Sequence, residues 1–160
     1  MTATNHALTG ATIGLLVGNP LIALPVALLS HFVCDSLPHF GSSDPQLLQR
    51  RWFSQLLLID AALCVVLVGI LAFSHPFHWA LAAVCAFVAT SPDLMWLKKY
   101  LRARSQRPAI KEQSLLLSFH SQIQWFQRPI GSLVEVAWFT GLGTILRHSA
   151  LGLASRHLIC

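Results

Sequence analysis

Residues able to bind metal ions recur where apolar runs of this chain end. One such run closes in Ser30-His31-Phe32-Val33-Cys34-Asp35-Ser36-Leu37-Pro38-His39, and a second closes at Asp93, ahead of Met95, Trp96 and Lys98-Lys99. A bilayer makes such side chains costly, so their presence calls for a function. His31 and Asp35 are four residues apart, which places them on one face of a helix. Pro38 disfavours helix at Leu37, so the chain can turn and bring His39 back toward them. Imidazole and carboxylate together suit Zn²⁺ or another first-row ion. Such groups would allow one or two ions, and a pair would activate water and clamp a phosphoryl or acyl group.

The elements that must position these residues follow from composition. The chain has 160 residues, 54% hydrophobic and 11% charged, against about 25% charged in ordinary soluble domains. Its mean hydropathy is +0.60. The expectation is an all-α, multi-pass membrane bundle of about five or six helices, forming one integral membrane domain over 1–160. A first short helix starts at Thr4 or Asn5, either of which can cap it, and runs to about 17. Gly18-Asn19-Pro20 marks a turn, and a second helix runs from 20 or 21 to about 37. This N-terminal hairpin is either re-entrant or a thin pair of spans. Gly10, Gly14 and Gly18 form a stripe of small residues that suits close helix packing.

A polar loop is expected over 41–51, spans over 52–73 and 79–97, a tight connection at 74–78, and a basic loop over 98–111. Residues 112–126 read as an interfacial helix and 130–146 as a last span. The basic clusters, Arg50-Arg51 and Lys98 to Lys111, should face the cytoplasm, with 74–78 outside. They read as membrane anchors and not as a nucleic-acid patch, with Trp52, Trp96 and Trp125 expected at the inner interface and Trp79 at the outer one. Cys34, Cys64, Cys85 and Cys160 show no CxxC spacing, so no disulfide framework is expected. The N-terminus has no basic region before a short apolar core and no cleavage site, so no removed signal peptide is expected.

This orientation puts seven residues at one membrane level: His6, His31, Asp35, His39, Asp93, His120 and Glu135. The first six are candidate metal ligands. Glu135 is a candidate general base or further ligand, with Asp35 as its possible catalytic companion. Gln124, one turn after His120, could orient a ligand or bind substrate, and Arg50 and Arg51 could attract an anionic headgroup. Asp60, about two turns inside the membrane, suits a polar network. His75, His78, His148 and His157 read as polar tips near headgroups. Ser36 lacks the surroundings of a nucleophile elbow.

The stretch Ser30-His31-xxx-Asp35-xx-Pro38-His39, with the early Asn5-His6-Ala7-Leu8, resembles the YdjM-like membrane-bound metal-dependent hydrolases. Ser91-Pro92-Asp93 is similar to their Pro-Asp element, though Leu94, Met95 and Trp96 stand where further Asp and His would follow. Phe119-His120-Ser121 is faintly similar to a Thr-His-Ser element, and the His-xxx-Asp spacing also resembles zinc-dependent phospholipase C. The resemblance implies a metal-dependent hydrolase in the membrane, and because the expected site faces the headgroup layer at the cytoplasmic side, the expected substrate is a phosphate- or ester-containing lipid or amphiphile. The expected cofactor is a divalent ion, zinc first. Membrane lipids are the expected partners, and a homo-oligomer stays open. Alternatives are a non-enzymatic metal- or haem-binding membrane protein, a small ion or solute transporter using Asp60, Asp93 and Glu135, and a scaffold for a partner helix.

Overall fold

The computed structural model describes residues 1–41, 46, 50–105, 115–124, 127, 128 and 130–157, with the side chains of 98, 99, 103, 104, 115–117, 121 and 149–157 outside the description. The elements are helical throughout. They are α1 (Ala3–Val17), α2 (Pro20–Ser36), α3 (Arg51–Ser74), α4 (Trp79–Thr90), a 3₁₀ turn (Ser91–Asp93), α5 (Leu94–Arg104), α6 (Leu115–Ile123) and α7 (Gly131–His157). The only β pairing among the described residues is an isolated parallel bridge between His39 and Gln127.

Helix α1 is the hub, packed against α2, α3, α4 and α7. The glycine stripe explains how. A Cβ at Gly10 would collide with the Cys85 carbonyl, and one at Gly14 would lie 2.5 Å from Ala82 Cα. Glycine thus lets α1 and α4 meet backbone to backbone. Gly18 ends α1 in the left-handed conformation, with φ 66°, which glycine adopts without the Cβ penalty. Asn19 then caps α2 by accepting from Leu21 N–H at 3.0 Å, with Pro20 in the first turn.

The N-terminus of α1 differs from the sequence expectation. Thr4 and Asn5 lie inside the helix, and the capping group comes from α3. The Asp60 carboxylate accepts from Ala3 N–H at 2.8 Å and Thr4 N–H at 2.9 Å, and also from the Thr4 hydroxyl. The first amides of a helix have no internal partner and carry its positive end, so a carboxylate suits them. Asp60 in an apolar span is thereby explained.

The expected span over 79–97 lies within an apolar stretch long enough to cross a membrane, Trp79–Arg102, and has an interruption the sequence reading did not include. It tightens into the 3₁₀ turn at Ser91–Asp93 and resumes as α5. The reason is Pro92, which lacks an N–H and cannot continue an α-helical ladder. The first part of the expected basic loop, up to Arg104, is therefore helical. Arg107, Lys111 and Trp125 lie outside the described residues, as do the side chains of Lys98 and Lys99. Of the expected interfacial helix the structure describes α6, which ends at Ile123, and the stretch expected as a last span lies within the longer helix α7, which is not among the stretches apolar enough to cross a membrane.

Two stretches are long and apolar enough to cross a membrane, Arg51–Ser74 and Trp79–Arg102. The most apolar window of the first is only 6% buried inside the fold, and that of the second 28%. A core helix of a soluble domain would be mostly buried; here Leu58, Ile59, Val65, Val66, Ile70 and Phe73 are exposed. α1 has 15 residues and α2 has 17, short of the roughly 20 a span needs. Cys34, Cys64 and Cys85 are free thiols.

Candidate metal centre

At one end of the bundle, side chains from four elements converge on Asp35. The carboxylate and the imidazoles of His6, His31, His39 and His120 are all fully or almost fully buried. His31 and Asp35 come from the last turns of α2, His6 from the first turn of α1, Asp93 from the 3₁₀ turn and His120 from α6. Suitable ligand atoms of His31, Asp35, Asp93 and His120 all lie within 4.8 Å of one another, a group that could hold a metal ion.

The separations fit a common ion. His31 Nε2 is 3.1 Å from His120 Nε2 and 3.3 Å from Asp35 Oδ2. His120 Nε2 is 2.8 Å from Asp35 Oδ2, and His31 Nε2 is 3.8 Å from Asp93 Oδ1. Ligands on a tetrahedral zinc at about 2.0–2.1 Å stand roughly 3.3 Å apart. Asp93 is the member that reaches the surface, with its side chain 29% exposed.

Hydrogen bonds assign the tautomer of His31. Its Nδ1 lies 2.8 Å from the Ala89 carbonyl. A carbonyl only accepts, so Nδ1 carries the proton, and the acceptor is one of the carbonyls left over near the end of α4. In the neutral ring Nε2 is then a bare lone pair facing two carboxylates. Acceptors facing acceptors repel, and a cation between them, a second proton on the ring or a share of the His120 Nε2–H 3.1 Å away relieves this. An imidazole with its far N–H tied to a backbone carbonyl is also how histidine ligands are commonly held.

His120 is held differently. Trp96 Nε1–H donates to His120 Nδ1 at 3.3 Å, which leaves the proton of the neutral ring on Nε2, donated to Asp35 Oδ2. Coordination through Nε2 therefore requires the proton to move to Nδ1 and the Trp96 indole to turn away. Gln124, four residues on, donates to Asp35 Oδ2 at 3.0 Å and accepts from Gln127 Nε2–H at 3.1 Å. It holds the central carboxylate in place. The Met1 ammonium and His6 Nε2 approach the other oxygen, Asp35 Oδ1. The His6 ring stacks on His31 with centroids 4.1 Å apart.

His39 is buried beside this group through a second set of restraints. Its Nδ1–H donates to the Leu37 carbonyl at 2.8 Å, and its Nε2 has no hydrogen-bond partner. Its own carbonyl accepts from Arg128 N–H at 3.2 Å. A Cβ at Gly131 would collide with the His39 backbone, so glycine permits this approach. Burial, and then the charge of the Met1 ammonium, push the His39 imidazole below its ordinary pKa.

Glu135 is buried but is not brought into the metal-binding group. Its Oε1 accepts from Phe40 N–H at 3.1 Å, and its backbone carbonyl accepts from Asn5 Nδ2–H at 3.1 Å. The structure gives it the work of tying the 39–40 turn to α1 and α7. Arg50 and Arg51 are exposed at the start of α3 and make no hydrogen bond or ion pair with the cluster. Sequence reasoning missed Trp96 and Gln127 as neighbours of the ligands. Gln127 had a faint signal, lying one turn after Gln124; Trp96 read only as an interface anchor.

A haem is a poor fit. Its iron would need a plane between two imidazoles, and here the His31 and His120 nitrogens are 3.1 Å apart, with Asp35 against both. The chain matches no family model, no curated protein and no solved structure. Fold and site therefore define a class by their own features: an all-helical protein with two candidate membrane spans and a buried His/Asp cluster able to hold a metal ion.

Proposed function

We propose that this protein is a multi-pass membrane hydrolase that uses a divalent ion, zinc first, at the cytoplasmic interface. The observation that carries the reading is the lone pair of His31 Nε2 held toward Asp35 and Asp93, with His120 completing the group. A bound ion would supply a water acidic enough to ionise near neutral pH and would polarise a phosphoryl or acyl oxygen. His31 and His120 hold the ion, Gln124 fixes the Asp35 carboxylate, and Asp93 marks the open side from which a substrate arrives.

The surroundings of that opening support a lipid or amphiphile carrying a phosphate or ester group. Asp93, His120 and the neighbouring His39 each have an exposed apolar chain neighbour, respectively Leu94, Phe119 and Phe40. Apolar side chains next to a polar centre suit a molecule with a headgroup and a tail. The cytoplasmic placement rests on Arg50, Arg51 and the Lys98–Lys111 cluster. The YdjM-like family is the proposed kinship, on the His31–Asp35–His39 and Ser91-Pro92-Asp93 motifs. A transporter is less favoured, because residues 61–92 carry no Asp, Glu, Lys or Arg to continue a path.

The test is hydrolysis by the detergent-purified full chain, supplied with Zn²⁺ or Mn²⁺ and mixed micelles of phosphatidic acid or phosphatidylglycerol. Release of phosphate, headgroup or fatty acid, lost with chelator and in His31→Ala, supports the reading. No turnover of any phosphate- or ester-bearing amphiphile by metal-loaded protein overturns it.

A further inference from the structure

Two carboxylates in this cluster each present one oxygen to a different group of imidazoles. Asp35 Oδ2 lies 2.8 Å from His120 Nε2 and 3.3 Å from His31 Nε2, whereas Asp35 Oδ1 lies 3.1 Å from His6 Nε2. Asp93 divides in the same sense, with Oδ1 3.8 Å from His31 Nε2 and Oδ2 3.9 Å from His6 Nε2. One ion on the His31–His120 side uses one oxygen of each carboxylate and leaves the other two facing His6.

We propose that the centre holds two divalent cations, with Asp35 and Asp93 bridging them and His6 Nε2 ligating the second. This rests on the metal-binding reading above and adds to it the count and the bridging. Carboxylates that bridge keep two ions about 3.5–4 Å apart in two-metal hydrolytic sites, where one ion positions the attacking oxygen and the other the leaving oxygen. One buried imidazole nitrogen beside this group, His39 Nε2, lacks any hydrogen-bond partner. Buried polar atoms are rarely left so without an ion or water to satisfy them.

The experiment is a Mn²⁺ titration of the full chain in detergent, read by elemental analysis and by electron paramagnetic resonance. The proposal expects two Mn²⁺ per chain and a spin-coupled signal. His6→Ala should hold one ion with an uncoupled signal, its fold checked by helical circular dichroism. One uncoupled ion per chain in the wild type overturns the second site while leaving the first, and that comparison needs no variant to fold. No bound ion in the wild type overturns both readings.

Discussion

His31 Nε2 and Asp35 Oδ2 face each other across one helical turn at 3.3 Å, with the far side of the imidazole tied to the Ala89 carbonyl of α4. The i,i+4 spacing alone puts two residues on one face; the tie to α4 fixes which nitrogen is free. A lone pair and a carboxylate held in this way form half of a metal site before any ion arrives.

Gln124 should matter without being a ligand. Its amide donates to Asp35 Oδ2 and is itself held by Gln127. Gln124→Leu removes that donor and should weaken metal affinity by roughly 10–100-fold, with the saturated stoichiometry unchanged. Competition against a chromophoric chelator measures this, and a variant that binds as the wild type does would remove Gln124 from the site.

Trp96 should oppose binding. Its indole N–H occupies His120 Nδ1, the atom that must carry the proton when Nε2 binds an ion. Trp96→Phe should tighten metal binding, by up to about tenfold on the scale typical of groups behind a ligand. Weaker binding in the same chelator competition would count against this tautomer assignment.

Asp60 should act on stability and not on metal count. Asp60→Ala leaves Ala3 N–H and Thr4 N–H without their acceptor, a loss of about 1–3 kcal/mol. Thermal unfolding in detergent should show a lower midpoint, and elemental analysis an unchanged ion content.

His39 gives a pH dependence with a definite sign. Burial lowers its folded-state pKa below the ordinary 6.5. Between the two values the unfolded chain binds more protons, so stability rises with pH through that window and falls as pH drops below about 6.5. With chelator present, wild-type protein should lose more thermal stability between pH 7 and pH 5 than His39→Asn does. Equal losses would show that His39 contributes no such linkage.

Much of the site was legible because costly residues stood out. His6, His31, Asp35, Asp93 and His120 are polar side chains at the ends of apolar helices, and the structure gathers them. A shared end of the expected helices was enough to group them, since it depends only on the order and length of the helices. Partners set by tertiary packing were not legible. The Asp60 carboxylate caps a helix some 56 residues away in sequence, so local capping rules pointed to Thr4 or Asn5 instead. Glu135 shares the level of the cluster, but its carboxylate holds the Phe40 amide, a matter of direction that spacing does not encode. Trp96 looked like an interface anchor because its contact with His120 depends on the turn that Pro92 introduces.

Metal content decides the central claim most directly. The full chain, purified in detergent, saturated with Zn²⁺ and desalted, is compared with His31→Ala and Asp35→Ala by elemental analysis. At least one tightly held ion per wild-type chain is expected, falling sharply in both variants. Equal metal in all three proteins, or none in the wild type, would contradict the account.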